Sequence, residues 1–307
     1  MQSRVSDKLK YLKAAMRWSK FVFTPLAVGF IVYYAWLSKS ELYELFQSTD
    51  ASWLFVSVFV LIMLHLCSPW FTVLFFKNLG VDVTYKKVAI VHIKYLPAKY
   101  LPGGVWHSVA RVAEYLKMGL SSRDVSIYFL AENLAIVGVT LGVGGVAASL
   151  VFAKSEWLQL FFYLGFAVLF ASLAFPVVIN QFFAANRKKL QLRGYMFSFS
   201  VFILYWIGAA CAFVSFFLAF PHFSSEIAPL TIGVAYVFSW GMGYIAIFAP
   251  QGIGVTELVS AKLLGNEGVF SVLVVTFVGF RLLMFIADLV AWGLLLLCRL
   301  NSTKVRK

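Results

Sequence analysis

Charged side chains are scarce in this sequence of 307 residues: Asp, Glu, Lys and Arg make up 13% of it, and only 13 of those side chains are acidic. No segment is long and polar enough to form a separate soluble domain. The three cysteines lack metal-ligand spacing and cannot be a disulfide framework. Walker loops, zinc-site spacings and nucleophile–base arrangements are also missing. The prediction is therefore a protein that is not an enzyme, with no cofactor and no metal.

Apolar residues dominate what remains. They make up 62% of the chain, and the mean hydropathy is +0.87. A soluble protein cannot bury that much apolar surface, whereas a bilayer requires it to be exposed. We therefore predict a single integral membrane domain over residues 1–307, all-α and polytopic. Seven apolar runs are long enough to cross a bilayer, at residues 21–37, 53–76, 127–152, 157–178, 197–220, 230–249 and 269–298.

The net charge of +13 is concentrated at the ends of these runs. Basic clusters beside apolar runs mark cytoplasmic ends and attract anionic lipids, so we expect membrane lipids rather than nucleic acid as partners. The basic tail 1–20 is predicted inside, 39–50 outside and 77–123 inside. A short crossing near 252–264 returns the basic C-terminal residues to the inside. This gives about eight crossings in the cell inner (cytoplasmic) membrane, with both termini cytoplasmic.

Two segments rich in proline and glycine interrupt the apolar pattern. The first is PAKYLPGGVW at 97–106, within a mixed region (81–124) that suits an amphipathic or re-entrant hairpin; the second is APQGIGVTE at 249–257, within 249–265. Breaks are costly in hydrocarbon, because every freed backbone group needs a partner. Their similar settings suggest two repeated halves and a buried site of the kind found in transporters with broken helices. Chance placement of Gly and Pro is the alternative.

These two segments, with Arg111 after the first, resemble the signatures of the lysylphosphatidylglycerol synthase transmembrane family. The resemblance implies a flippase-like membrane protein associated with cell-envelope lipids or glycans. The sequence contains no counterpart of the aminoacyl-transferase domain found in bifunctional members, so aminoacylation is not implied. Gln251 and Thr256 stand where Gly and Arg are common in the family, which removes a cation from the second signature.

The first break has the composition of an anion site. Pro102 stops a helix, Gly103 and Gly104 relax the backbone, and the next helix would direct its N-terminal N–H groups toward the break. Lys99 and Arg111 add full positive charges. A lipid phosphate group would suit this arrangement. The alternative is an interfacial hairpin whose cations reach surface lipids.

The second break repeats this logic with Pro250, Gly252 and Gly254, while Thr256 is a candidate cap for the next helix. Glu257 then suits the helix dipole, or carries a proton, or pairs with a cation.

Charges inside apolar runs are costly, at about 3 kcal/mol on insertion scales, and normally face a partner or water. Glu132 lies in one such run, and Arg281 and Asp288 lie on one face of the last. We expect Arg281 to bind an anionic headgroup and Glu132, Glu257 and Asp288 to balance or relay charge. A structural Glu–Arg pair between helices is the alternative. His65 is interpreted as a packed core histidine, and His92 and His107 as interfacial.

The resulting hypothesis is translocation of an anionic lipid, either a phospholipid or a polyprenyl-phosphate-linked glycan, between leaflets. Two other functions stay open. One is an integral-membrane transferase that acts on a lipid-linked substrate. The other is a non-catalytic membrane partner of an enzyme that assembles cell-envelope glycans or lipids.

Overall fold

The computed structural model describes most of the chain. The described residues are 39–100, 106–153, 155–183, 189–220, 227–247, 249–265 and 270–304, with the isolated positions Gly29, Val32, Tyr33 and Trp36. The basic tail 1–20 and most of the predicted first span therefore lie outside them. So do Pro102, Gly103 and Gly104 of the first break.

Every regular element in these ranges is helical. The α-helices are α1 (Lys39–Gln47), α2 (Ala51–Asn78), α3 (Tyr85–Lys94), α4 (Trp106–Lys117), α5 (Ser122–Val151), α6 (Glu156–Leu173), α7 (Phe175–Phe183), α8 (Leu192–Leu218), α9 (Pro229–Ile245), α10 (Val255–Leu264) and α11 (Phe270–Lys304). Two 3-10 turns, at Leu96–Tyr100 and Pro250–Gly252, coincide with the two predicted breaks. The all-α prediction is confirmed for the described residues.

Five of these helices are long and apolar enough to cross a membrane: α2, α5, α6, α8 and the part of α11 from Val272 to Cys298. The chain is therefore a polytopic membrane protein. Helix α9 is equally apolar but has only 17 residues. The number of crossings, eight, and the entry of 81–124 and 249–265 into the bilayer stay predictions.

The run 157–178 was predicted as one span, but it forms two helices. Helix α6 ends at Leu173, and α7 begins at Phe175. Pro176 explains the division, because proline has no N–H to donate and its ring clashes with the preceding turn of a continuous helix. The longer predicted span is therefore wrong at its C-terminal end.

Helices α2 and α8 pack extensively against each other and carry much of the aromatic core. The rings of Phe71 on α2 and Phe202 on α8 meet edge to face, with centroids 4.4 Å apart. A second aromatic group joins α8 to α9 and α11, where Phe213 stacks on Tyr236 and on Phe277, each at 4.6 Å. These contacts hold the last helix against the centre of the bundle, where the candidate site lies.

Small residues bring α5 and α6 close together. A Cβ added to Gly142 would lie 3.1 Å from the Leu169 Cα, and one added to Gly165 would lie 2.9 Å from the Gly142 carbonyl oxygen. Close backbone approach through small residues is typical of helix packing in membranes. In this region α5 also contains a π-helical turn, Gly138–Val143.

Candidate functional site

The first break contacts the last helix through an acidic side chain. Lys99 and Tyr100, in the 3-10 turn, both donate to Asp288 Oδ2 on α11, at 3.1 and 2.9 Å. The Tyr100 ring also packs edge-on against Phe285, one turn earlier on α11, with centroids 4.6 Å apart. Asp288 is 4% exposed, so these donors replace the water that a buried carboxylate loses.

A histidine chain reaches the other oxygen of the same carboxylate. His65 Nε2 on α2 lies 2.8 Å from Asp288 Oδ1, and His65 Nδ1 lies 3.4 Å from His92 Nε2 on α3. The His92 ring in turn meets the His107 ring of α4 at right angles, with centroids 5.8 Å apart. His65 is buried and hydrogen-bonded, as its interpretation as a core histidine requires, whereas His92, interpreted as interfacial, is buried as well. The sequence interpretation did not join these residues into one cluster. His65 and Asp288, both titratable and both within apolar runs, were the available signal.

Burial lowers the pKa of two of these histidines, His92 and His107. It lowers the pKa of His92 well below its usual range, and the positive charge of Arg111 acts in the same direction. Burial likewise lowers the pKa of His107 to about 2, with Arg111 and Lys99 contributing. The charges of Arg111 on α4 and Lys99 in the first break both lower the pKa of His107. The first break and α4 are therefore close enough to influence the same side chain.

Arg111 forms a second buried ion pair. Its Nη2 lies 2.7 Å from Glu132 Oε1 on α5, and it also contacts the Tyr128 hydroxyl. Tyr128 lies 2.6 Å from the same Glu132 oxygen and 2.9 Å from the Thr72 hydroxyl on α2. Arg111 and Glu132 are both buried, at 7% and 8% exposure. This network joins α2, α4 and α5.

The second break contacts α11 two turns before Asp288. Arg281 donates through Nε to Glu257 Oε1 and through Nη1 to the Gln251 carbonyl oxygen, the latter at 3.0 Å. The Arg281 Nη2 atom is buried and has no hydrogen-bond partner among the described residues. Glu257 is 1% exposed, so its charge depends on Arg281 and on one backbone donor.

That donor is the N–H of Gly254, so the residue that precedes and caps α10 is Gly254 and not the predicted Thr256. Gly254 precedes the first residue of α10, and its N–H donates to Glu257 Oε2 at 2.7 Å. Thr256, predicted as the cap, already lies inside the helix and is buried against Gly243. Gly254 takes this position because its φ of +87° suits glycine.

Gly252 serves a different purpose in the same turn. Its φ is +70°, and an added Cβ would lie 2.7 Å from the Cα of Gly243 on α9. The second break therefore crosses α9 with backbone against backbone. Pro250 begins this 3-10 turn.

The predicted cations and the predicted carboxylates form ion pairs with each other. Each of the three cations expected to bind an anion pairs with one of the three carboxylates expected to balance or relay charge: Lys99 with Asp288, Arg111 with Glu132, and Arg281 with Glu257. The site is thus close to neutral in this state rather than positively biased. Among the described residues, no group of three or more His, Cys, Asp or Glu is arranged to hold a metal ion.

These features define a helical membrane protein with two ion pairs on its last helix and a third between α4 and α5. Comparisons of the chain with protein-family models, curated proteins and solved structures give no match. The resemblance in the two break segments therefore stays a prediction, and the functional argument below starts from the site itself.

Proposed function

We propose that this protein moves an anionic lipid between the leaflets of the cell inner membrane. The substrate class is a phospholipid or a polyprenyl-phosphate-linked glycan, which share a phosphate group beside long apolar chains. The observation that supports this most is the docking of both broken segments on one side of α11. Arg281 and Asp288 are seven residues apart, which is two helical turns on the same face.

The ion pairs suggest how a phosphate group would bind. Lys99 and Arg281 have side chains that are 30% and 22% exposed, whereas their carboxylate partners are 6% and 1% exposed. The cations can therefore turn toward a ligand while the acids remain in place. A phosphate would replace the carboxylates as the partner of these cations, with charge-assisted hydrogen bonds of comparable strength. The lipid chains would stay in the bilayer throughout.

Movement would follow the general scheme of alternating access. Rocking of the two halves about the site would expose the headgroup first to one leaflet and then to the other. The sequence has no ATP-binding motif, so transport runs downhill or is coupled to protons or to the membrane potential. Asp288, Glu132 and Glu257 are the groups that could be protonated in such a cycle.

The geometry of His65 makes this residue unsuited to act as the general base of a lipid-linked group transfer. A transferase needs a general base with a vacant nitrogen directed at its acceptor. Both ring nitrogens of His65 are occupied, one by Asp288 and the other by His92. An imidazole held on both sides is suited to hold or pass a proton between protein groups, and it has no nitrogen left for an acceptor.

A reconstitution experiment tests the proposal. The purified full-length protein is placed in liposomes with fluorescent phosphatidylglycerol in both leaflets, and external dithionite quenches whatever reaches the outer leaflet. We expect more complete quenching than in protein-free liposomes. Fluorescent phosphatidylcholine serves as the lipid without net negative charge, and it should be moved more slowly.

Matched variants separate the site from the scaffold. Lys99→Gln and Arg281→Gln should each slow phosphatidylglycerol movement, whereas Lys94→Gln, in an ion pair with Glu114 nearer the surface, should not. If this protein is instead a non-catalytic membrane partner, even the wild-type protein should move no lipid. Equal quenching with and without protein, for phosphatidylglycerol and for a polyprenyl-phosphate probe, would refute transport.

A further inference from the structure

Three side chains from different helices form a continuous line of hydrogen-bonding atoms. Asp288 on α11 contacts His65 on α2 at 2.8 Å, and His65 contacts His92 on α3 at 3.4 Å. All three residues are buried, at 4%, 6% and 7% exposure. Ion pairing does not account for this line. The Arg281–Glu257 and Arg111–Glu132 pairs contain neither histidine, and the Lys99–Asp288 pair would form without His92.

The donor and acceptor roles of these atoms determine which ring nitrogens carry protons. An ionised Asp288 only accepts hydrogen bonds, so His65 carries its proton on Nε2. If His65 is neutral, its Nδ1 is then an acceptor, and His92 must donate from Nε2. Both rings thus carry a proton on the side that faces Asp288. A proton that binds His92 Nδ1 allows the Nε2 proton to pass to His65 Nδ1, and the His65 Nε2 proton then passes to Asp288 Oδ1.

We propose that His92 and His65 form a proton relay to Asp288, and that a proton delivered by it neutralises Asp288 when Lys99 leaves to bind the lipid phosphate. The second half of this statement rests on the proposed function. One proton enters at His92 and one ends on Asp288, so both imidazoles stay neutral and the carboxylate changes from a charge of −1 to zero. Both imidazoles return to their starting tautomers when the proton leaves by the same route and Lys99 comes back to the carboxylate.

The surrounding charges agree with this order of events. Lys99 and Tyr100 face Asp288 from the 3-10 turn, Arg281 lies two turns away on α11, and Tyr205 on α8 is near enough to interact with it electrostatically. Lys99 stabilises the carboxylate, so Asp288 stays ionised while that pair is intact. Once Lys99 has left, a buried carboxylate with no cation beside it favours the neutral form.

Arg111 and His107 face His92 from α4. The positive charge of Arg111 disfavours a proton resting on His92. A proton would therefore pass through this ring rather than remain there.

Infrared spectroscopy tests the relay without any lipid substrate. In Lys99→Gln, Asp288 lacks its cation, and a carboxylic acid band should appear at higher pH than in the wild type. Its absence from Lys99→Gln/Asp288→Asn assigns the band to Asp288. After a rapid drop in pH, the band should rise at least about tenfold more slowly when His92→Phe is added, because that ring has no nitrogen to pass a proton. Adding Lys94→Gln instead, two positions along the same helix, should leave the rate unchanged.

Chemical rescue covers the case in which His92→Phe does not accumulate. His92→Ala in the Lys99→Gln background should show the slow rise, and imidazole in the buffer should restore the rate. An equal rate with and without the His92 ring, or no band assignable to Asp288, would overturn the relay. If the relay is found but the wild-type protein moves no lipid, the proposed function fails and the proton path stands. If lipid moves but the rate at which the carboxylic acid band rises does not depend on His92, only the relay fails.

Discussion

Lys99 and Asp288 lie 189 positions apart in the chain and form an ion pair, with 3.1 Å between the partly exposed Lys99 Nζ and the buried Asp288 Oδ2. The pair joins the first broken segment to the last helix. Asp288 also accepts hydrogen bonds from Tyr100 and His65, so a single carboxylate links α2, the 3-10 turn and α11. Removing either charge should therefore affect more than one helix contact.

A double-mutant cycle measures this link. Asp288→Asn leaves Lys99 without its counter-charge, and Lys99→Gln leaves a buried carboxylate without its cation. The double variant should be more stable than the sum of the two single losses predicts, with an interaction energy of about 0.5–3 kcal/mol. The measurement is the free energy of unfolding in detergent. The same cycle between Lys99 and Glu114, which pairs with Lys94, should be close to additive. Additivity for Lys99 with Asp288 would contradict the coupling.

Removing one partner of the Arg111–Glu132 pair should destabilise the protein more than removing one partner of an exposed pair. Glu132→Gln leaves a buried guanidinium without its counter-charge, and the expected loss is about 3–5 kcal/mol. Glu114→Gln removes a carboxylate whose partner, Lys94, is 38% exposed, and it should cost less than about 1 kcal/mol. Thermal unfolding of the two variants provides the comparison. Equal losses would show that burial does not govern the strength of these pairs.

The crossing of Gly252 and Gly243 predicts a sharp glycine requirement. Gly252→Ala must accommodate a left-handed φ, which costs about 1–2 kcal/mol, and a Cβ that clashes with the Gly243 backbone. Gly293→Ala is the matched control, because its Cβ would meet nothing within 4 Å on α11. That change should be neutral or should stabilise by up to about 1 kcal/mol. A Gly252→Ala protein as stable as Gly293→Ala would contradict this description of the second break.

The sequence was sufficient to locate the long helices and the two breaks, because both depend on local pattern. Apolar runs fixed α2, α5, α8 and α11 to within several residues, and the Pro and Gly positions marked the 3-10 turns. The division at Pro176 was missed because hydropathy ignores a single missing N–H. The cap of α10 was missed because the φ of Gly254 follows from the tight turn before it, which hydropathy does not encode.

The pairing of charges needed the fold. The sequence identified Lys99, Arg111, Arg281 and the three carboxylates, and it left open a Glu–Arg pair between helices, but it did not show which residues pair. Nothing in spacing alone joins Lys99 to a residue 189 positions later. The same holds for His65 and His92, which come from helices whose contact depends on tertiary packing.

Orientation in the membrane is the last expectation that the sequence makes testable. The basic residues around α3 predict a cytoplasmic position for Lys87, and the acidic α1 predicts the opposite side for Glu44, with the 28-residue helix α2 between them. In a background with Cys67, Cys211 and Cys298 replaced by serine, Glu44→Cys should react with a membrane-impermeant maleimide added to intact spheroplasts. Lys87→Cys should react only after the membrane is permeabilised. Labelling of both positions from the same side would mean that α2 does not cross, and it would remove the topology on which an inward-facing first break depends.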